Sequence, residues 1–274
     1  VDALVTVRDA LAETQIARRD AETILLHLLK RDRAWLFAYP EFELDASQLE
    51  SFRALVRRRA ASEPLQHLTG GQEFYGLPLR VSRDTLIPRP ETELLVEAVL
   101  KWAEVHTEPL RILDVGTGTG AIALALAKHL PSGAITAVDI SREALAIARD
   151  NAARLNLTVR FLESDLLSAV AAEPLFDAIV SNPPYVPSTD AATLQREVVD
   201  HEPHIALFAG PDGLGIYRRL IPQAHAGLRA GGLLALEFGF GQSEAIKGLL
   251  QGWHGIRILD DYANIPRIAL ATRE

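Results

Sequence analysis

Cysteine and methionine are both absent from the 274 residues. Without cysteine there are no disulfides and no thiolate metal sites, and no His-x-x-x-His or His/carboxylate grouping replaces them. No metal is expected. With Val1 as the first residue, the missing methionine points to a longer translated product. No apolar run approaches the ~20 residues a membrane-spanning helix needs. The opening residues mix Asp2, Arg8, Asp9 and Glu13 among small apolar ones, unlike the charged start, apolar stretch and cleavage site of an export signal. A cytoplasmic protein with no membrane partner is expected. Positive charge is also scarce: 28 Lys and Arg face 36 Asp and Glu, for a formal net charge of −8. Wrapping long nucleic acid requires many cations to neutralise phosphates, so a nucleic-acid partner is not expected.

What is present is the composition of a folded globular chain, 48% hydrophobic and 23% charged, long enough for a medium domain with a smaller companion. From residue 1 to about residue 71 the apolar residues fall at helical spacing, as in Ala21, Ile24, Leu25, Leu28 and Leu29. A second helix is predicted from Asp45 as N-cap through Leu49, Phe52, Leu55 and Val56. Its Arg57-Arg58-Arg59 run reads as a solvated face, with a docking surface for an acidic partner as the alternative. Short extended pieces at Glu73 to Tyr75 and Leu77 to Val81 predict a connecting hairpin within 72–90. From residue 91 to 274, strand-like and helix-like segments alternate, which argues for an α/β fold with a parallel sheet covered on both faces. A helix from Leu214 to Leu228, a Gly231-Gly232 turn, a strand from Leu233 to Phe238 and an edge hairpin from Ile256 to Leu259 and Ile268 to Ala271 complete the reading.

Two segments carry chemistry. Arg111 to Val115 reads as a strand that runs into Gly116-Thr117-Gly118-Thr119-Gly120 and an alanine-rich helix, a turn that lets a ligand approach bare backbone at a helix start. Asp139 ends the next strand, 23 positions after Gly116, where a carboxylate accepts hydrogen bonds from both hydroxyls of an adenosine ribose. Gly116-x-Gly118-x-x-Ala121 also satisfies a dinucleotide fingerprint. Asp114 beside the loop opposes a pyrophosphate and favours an ammonium group, so the charge pattern favours S-adenosylmethionine. The second segment, Asn182-Pro183-Pro184-Tyr185, follows a buried strand, Phe176 to Ser181. The prolines stiffen the chain and remove donors, leaving carbonyls as acceptors, and Asn182 adds a side-chain carbonyl. Such a pair can orient an NH2 group whose lone pair is delocalised, and Tyr185 can stack on a flat acceptor.

The Asp-x-Gly-x-Gly-x-Gly segment, the acid ending the next strand and Asn-Pro-Pro-Tyr together resemble a class I amino-methyltransferase. Further matches are Phe74-Tyr75-Gly76, Leu86 through Glu93 with its Pro-Arg-Pro-Glu-Thr-Glu, Asp114 through Leu126, Pro211-Asp212-Gly213-Leu214 and Tyr217-Arg218. Through these the chain is similar to the HemK/PrmC family of release factor glutamine methyltransferases over nearly its whole length. The Pro-Arg-Pro-Glu-Thr-Glu segment is the most specific of them, since Asn-Pro-Pro-Tyr also occurs in nucleic-acid adenine methyltransferases.

The resemblance implies a mostly parallel, Rossmann-like sheet with an antiparallel edge, and methyl transfer to the glutamine amide of a Gly-Gly-Gln loop. It also implies that Gly116 to Gly120 and Asp139 hold S-adenosylmethionine, that Asp165 and Leu166 lie against its adenine, that Asn182 to Tyr185 grip the glutamine and that the helical region docks the release factor. Leu166 stands where some relatives have an aromatic residue, and Asn264 where glycine is expected. Gly70-Gly71-Gln72 repeats the target tripeptide, which reads as a glycine-rich turn, with self-methylation of Gln72 as the alternative. Methylation of an adenine or guanine amine is the rival activity, and cofactor binding without turnover a third reading.

Overall fold

A computed structural model describes residues 5–274; the first four residues of the region expected to be helical lie outside the described residues. The chain divides into two units, one running to Gly71 and including Gln195–His201, the other formed by Gln72–Leu194 and Glu202–Glu274.

The first unit holds helices α1 (Val7–Ala12), α2 (Arg18–Leu29), α3 (Arg33–Ala38), α4 (Ala46–Ala60) and α5 (Leu65–Thr69), and a two-stranded pairing of β1 (Val5–Thr6) with β2 (Glu43–Leu44). In α2 the residues Ala21, Ile24 and Leu25 are fully buried, as helical spacing requires of one face. Asp45 caps α4: its carboxylate accepts from the Gln48 amide while the Gln48 side chain accepts from the Asp45 amide. The arginine run is not a solvated face throughout. Arg58 pairs with Glu63, and Arg59 bridges Asp20 at 2.7 Å and Glu197 at 2.9 Å. That second bridge ties α9 (Arg196–His201) into this unit, an association with no periodic signal in the sequence.

The second unit opens with the antiparallel pair β3 (Gly71–Phe74) and β4 (Leu77–Arg80), turned through Tyr75 and Gly76, both at positive φ. That geometry matches the right-handed twist of the strands. A 3-10 turn (Pro90–Thr92) leads into α6 (Glu93–Ala103), which the sequence reading leaves unassigned. Then come β5 (Arg111–Val115), α7 (Ala121–His129), β6 (Ala134–Asp139), α8 (Arg142–Leu155), β7 (Arg160–Glu163), β8 (Phe176–Ser181), α10 (Gly215–Gly227), β9 (Leu228–Glu237), α11 (Ser243–Leu249), β10 (His254–Asp260) and β11 (Pro266–Thr272). The sheet order is β10-β11-β9-β8-β5-β6-β7, with five parallel strands from β9 to β7 and an antiparallel pair at the other edge.

Alternate residues of one strand enter opposite cores: Ile112 packs with α6 and α7, and Leu113 with α10 and α11. Both are wholly buried, so the strand reads as a continuous apolar run. The expected Gly231-Gly232 turn is instead a bulge inside β9, where register jumps from Phe176 opposite Leu228 to Ala178 opposite Leu233. The two glycines keep hydrogen bonding with Arg273 across this irregularity.

Asn151 is buried and linked on three sides. Its side chain exchanges hydrogen bonds with the Arg80 amide and carbonyl at 2.7 and 3.0 Å and donates to the Thr119 carbonyl at 3.0 Å. It therefore fastens β4 and the glycine turn to α8. Asn151→Ala strands these buried backbone groups and is expected to cost about 2–4 kcal/mol, read as a lowered urea midpoint; an unchanged midpoint would show the three bonds to be dispensable.

Candidate active site

Strand order reverses at β5: β6 lies on one side and β8 on the other. At such a point two successive crossovers leave the sheet on opposite faces, and a crevice opens beyond the strand ends. Both motifs fall there. Asp114 of β5 is in register with Val180 of β8, and the Ser181 hydroxyl donates to the Val115 carbonyl at 2.6 Å. The glycine turn thus begins beside Asn182.

The turn is held from beneath and open above. The amides of Gly116 and Thr117 both donate to the Val138 carbonyl, and the Gly118 amide donates to Asp139 Oδ2 at 2.8 Å. Gly116, Gly118 and Gly120 have φ of 75°, 54° and 84°, a region open to glycine and costly for other residues. A Cβ on Gly116 or Gly118 would meet nothing within 4 Å, whereas one on Gly120 would come within 3.1 Å of Leu124 Cδ1 and 3.2 Å of Ala148 Cβ. Two glycines bare the backbone, and the third allows close packing. Asp114 is fully buried, and its Oδ2 accepts from the Thr117 hydroxyl at 2.6 Å and the Ala123 amide at 3.2 Å. Its Oδ1 has no protein partner. Burial pushes the Asp114 carboxyl up to about 7 against the pull of those two bonds.

A cavity of about 310 Å³ lies over the turn. Among the residues singled out from sequence, Gly116, Gly118, Asp139, Asp165, Leu166, Asn182, Pro183 and Pro184 line it together, joined by Asp84, Leu86, Ile140, Ile205 and Arg219. Thr117, Thr119, Gly120 and Tyr185 are not in its lining. Thr117 holds Asp114, while Thr119 accepts from Asn151. Burial raises the Asp139 carboxyl, opposed by the amides of Ser141, Gly118 and Ile140. Leu166 has a φ of 52°, uncommon for a branched side chain. Ser164 holds that turn by donating to the Leu166 carbonyl at 2.7 Å. Asp165 pairs with Arg219 at 2.5 Å. Gln72 is outside the lining, on β3, where its amide nitrogen donates to the Glu73 carbonyl at 2.8 Å. A groove of about 870 Å³ in the first unit, with Arg19, Lys30, Arg31 and Arg33 on its walls, contains none of the motif residues.

The Asn-Pro-Pro-Tyr segment is braced by residues distant in sequence. The Asn182 amide nitrogen donates to Thr92 Oγ1 at 3.0 Å, and the Glu237 carboxyl is buried with no hydrogen-bond partner at Oε2. Burial raises Glu237 to about 7. The Tyr185 carbonyl accepts from Gln242 Nε2 at 3.0 Å and lies 2.2 Å from where a Cβ on Gly213 would stand. Burial pushes the Tyr185 hydroxyl up to about 12. Glu202 accepts from Arg89 at 2.5 Å and from the Ile87 amide at 3.3 Å, fixing the segment that carries Ile205 against Leu86 and its neighbours. Glu237 and Glu202 escaped the sequence reading. A usable signal for the first was an acid inside an otherwise apolar strand, Leu233 to Phe238.

An open glycine turn beside an Asn-Pro-Pro-Tyr segment, at the reversal point of a sheet with an antiparallel edge, makes this a class I methyltransferase. The profile of the methyltransferase small domain matches residues 90–205, and that of the PrmC N-terminal domain residues 2–70. The release factor glutamine methyltransferase of Koribacter versatilis is 47% identical over 264 residues, 96% of this chain and 93% of that protein; the protein of the same name from Escherichia coli K12 is 43% identical over 270 residues, 96% of each chain. A methyltransferase structure from Pyrococcus furiosus shares the fold, with a TM-score of 0.53 at 19% identity over 81% of this chain and 97% of that one. The chain belongs to the release factor glutamine methyltransferase family. Among the described residues no helix is long and apolar enough to cross a membrane.

The raised carboxyls fix a sign for stability. Burial raises the Asp114 carboxyl from its ordinary 3.8 to about 7 in the fold, so between those values the folded chain binds more protons than the unfolded one and loses stability as pH rises. Glu237 acts in the same direction. Asp114→Asn retains an acceptor for Thr117 and Ala123 and is expected to flatten this slope by on the order of 1 kcal/mol per pH unit, read from urea midpoints across the interval. An unaltered slope would mean that the carboxyl is already ionised in the fold.

Proposed function

We propose that this chain transfers the methyl group of S-adenosylmethionine to the side-chain amide nitrogen of the glutamine in the Gly-Gly-Gln motif of a peptide chain release factor. The observation that carries the reading is the anchored Asn182. Its NH2 is engaged by Thr92, which leaves its carbonyl oxygen as the acceptor for the cavity that Asn182 lines. An acceptor there suits an incoming NH2.

The residues present fit the donor. Each Asp139 oxygen accepts one protein amide, from Gly118 and Ser141, and retains a lone pair for a ribose hydroxyl. Ile140 and Leu166 offer apolar surface for a base, with Asp165 at the same wall. Gly116 and Gly118 leave room for close backbone approach. The Asp114 carboxyl, behind the turn and lacking a partner at Oδ1, opposes a pyrophosphate and favours a cationic ligand. When bound, the donor supplies an electrophilic methyl carbon on a positively charged sulfur.

The chain's own work is geometric. An amide lone pair is delocalised, and its proton is not removed by an ordinary base near neutral pH. With Asn182 Oδ1 and the Pro183 carbonyl each accepting one N–H, the NH2 is held turned, with its lone pair along the line to the methyl carbon. Transfer of the methyl group from sulfur would place positive charge on the amide nitrogen, and the two carbonyl dipoles would favour it there. One N–H proton then leaves to water. Pro184 contributes to the shape of the slot, and Tyr185 packs behind it with its carbonyl held by Gln242. We assign docking of the release factor to the helical unit, whose exposed Tyr39 and Phe42 pack on Trp35 with Arg31 over its ring, and whose Phe37 is exposed as well, a composition typical of protein interfaces.

Labelled S-adenosylmethionine offered in parallel to release factor, ribosomal RNA and DNA is expected to label only the release factor glutamine; label on nucleic acid alone overturns the reading. Asn182→Ala is expected to abolish most turnover with donor affinity nearly intact, and equal loss of both would remove its assigned role. Asp139→Ala is expected to weaken donor binding by about 1.5–3 kcal/mol in titration calorimetry.

A further inference from the structure

We propose that Glu202 is a positioning residue for the methyl donor: its carboxylate locks two irregular chain segments, 84–87 and 203–206, into one wall of the cavity, so that donor affinity depends on it. The inference rests on the donor reading given above and adds a residue outside the cavity lining. It also gives a role to the arginine of the Pro-Arg-Pro-Glu-Thr-Glu segment.

Both segments line the cavity, the first through Asp84, Thr85 and Leu86, the second through Pro203, Ile205 and Ala206. Neither belongs to the sheet. The first lies between the end of β4 at Arg80 and the 3-10 turn that starts at Pro90, and the second holds only a 3-10 turn, His204–Ala206. Such segments have no ladder of backbone bonds to fix their spacing, so a wall that they form together has to be tied at points.

The 203–206 segment is tied at both ends. After it, the Val186 amide donates to the Leu207 carbonyl at 2.9 Å and the Ala209 amide to the Val186 carbonyl at 3.0 Å, which fastens it to the chain just beyond Tyr185. Before it stands Glu202, whose side chain is 1% exposed. One carboxylate oxygen accepts from Arg89 Nη2 at 2.5 Å and the other from the Ile87 amide at 3.3 Å. A buried ion pair adds little stability that apolar packing could not supply, yet breaking it leaves a buried charge uncompensated, so the pair favours a single geometry.

The surface held in place is apolar. Ile205 is 59% exposed, and Ile140, which lines the same cavity, is 51% exposed. Two large apolar side chains so exposed within one cavity form a surface suited to a flat base. Without the Glu202 carboxylate the anchor at Val186 remains, so the segment pivots rather than unfolds and Ile205 is at the wall for only part of the time. Donor affinity then falls with the fraction of molecules in which the wall is formed. Asn182, held by Thr92, keeps its place.

Calorimetry with S-adenosylmethionine on the full chain, without acceptor, tests this. Glu202→Gln keeps an acceptor for the Ile87 amide and removes the charge that holds Arg89; it is expected to raise the donor Kd about 10-fold. In the donor-free protein, amide hydrogen exchange is expected to quicken in 84–87 and 203–206 and to stay unchanged in the glycine turn. In turnover on release factor the KM for donor is expected to rise by the same factor, with kcat at saturating donor and the KM for release factor within about twofold of wild type. A general loosening of the fold would move all three. Adding Arg89→Met to Glu202→Gln is expected to weaken donor binding no further than the weaker single variant, because both break one bond.

If Glu202→Gln binds donor as the wild type does, or if exchange quickens throughout the chain and kcat falls with affinity, Glu202 does not position the wall. If donor binding responds as expected while the wild type leaves release factor unmodified, the substrate reading fails and the positioning stands. A wild type that binds no S-adenosylmethionine overturns both. Should Glu202→Gln not fold, Arg89→Lys, which keeps the charge, and Arg89→Met, which does not, decide: equal donor affinity in the two overturns the proposal.

Discussion

The arrangement depends on one constraint, the parallel register of β5 beside β8 at the point where strand order reverses. The pairing of Asp114 with Val180 and the bond from Ser181 to the Val115 carbonyl bring the glycine turn and the Asn-Pro-Pro-Tyr segment out of the sheet side by side. Side chains alternate with a period of two, so a one-residue slip of β8 would send Asn182 to the opposite face. The apolar faces prevent it. Ala178 and Val180 belong to one buried layer and Ile179 to the other, and exchanging them would put mismatched side chains into both cores.

Three buried acids surround the site, and each is accommodated differently. Glu202 is neutralised by Arg89 and a backbone amide. Asp114 receives a hydroxyl and an amide at one oxygen and nothing at the other. Glu237 keeps an unpartnered Oε2 and is favoured as an anion only by the field of Arg267. The first fixes a wall of the cavity, the second closes a turn, and the third is buried on β9, the strand beside β8. Polar groups of this kind are expensive to bury, so their concentration around one cavity reflects what that cavity does rather than what the fold needs.

Much of this was legible in the sequence, because the features involved are local. The run from Arg111 to Gly120 announces strand, turn and helix within ten residues, and the Asp45 cap and the Tyr75-Gly76 turn are likewise written in neighbouring residues. What could not be read is set by contacts across long separations. Nothing near Thr92 shows that it meets Asn182, 90 positions away. The Gly231-Gly232 pair has the composition of a turn, and only pairing with β8 and the stretch after β11 makes it a bulge. The arginine run of α4 looks solvated until Asp20 and Glu197 are brought to Arg59. Asn264, where glycine is expected, has a φ of 59°, a left-handed conformation that asparagine tolerates better than most residues.

Gly213 has a positive φ of its own, yet its neighbour matters as much. Any side chain there would run into the Tyr185 carbonyl, twenty-eight positions earlier in the chain and bonded to Gln242 from the other side. The proline-stiffened segment is thus clamped between a glycine and a glutamine that lie outside the cavity lining. Selection acting on the chemistry therefore leaves its mark on residues with no chemistry of their own, and a library scored for turnover would find this bare backbone position as intolerant as the asparagine it supports.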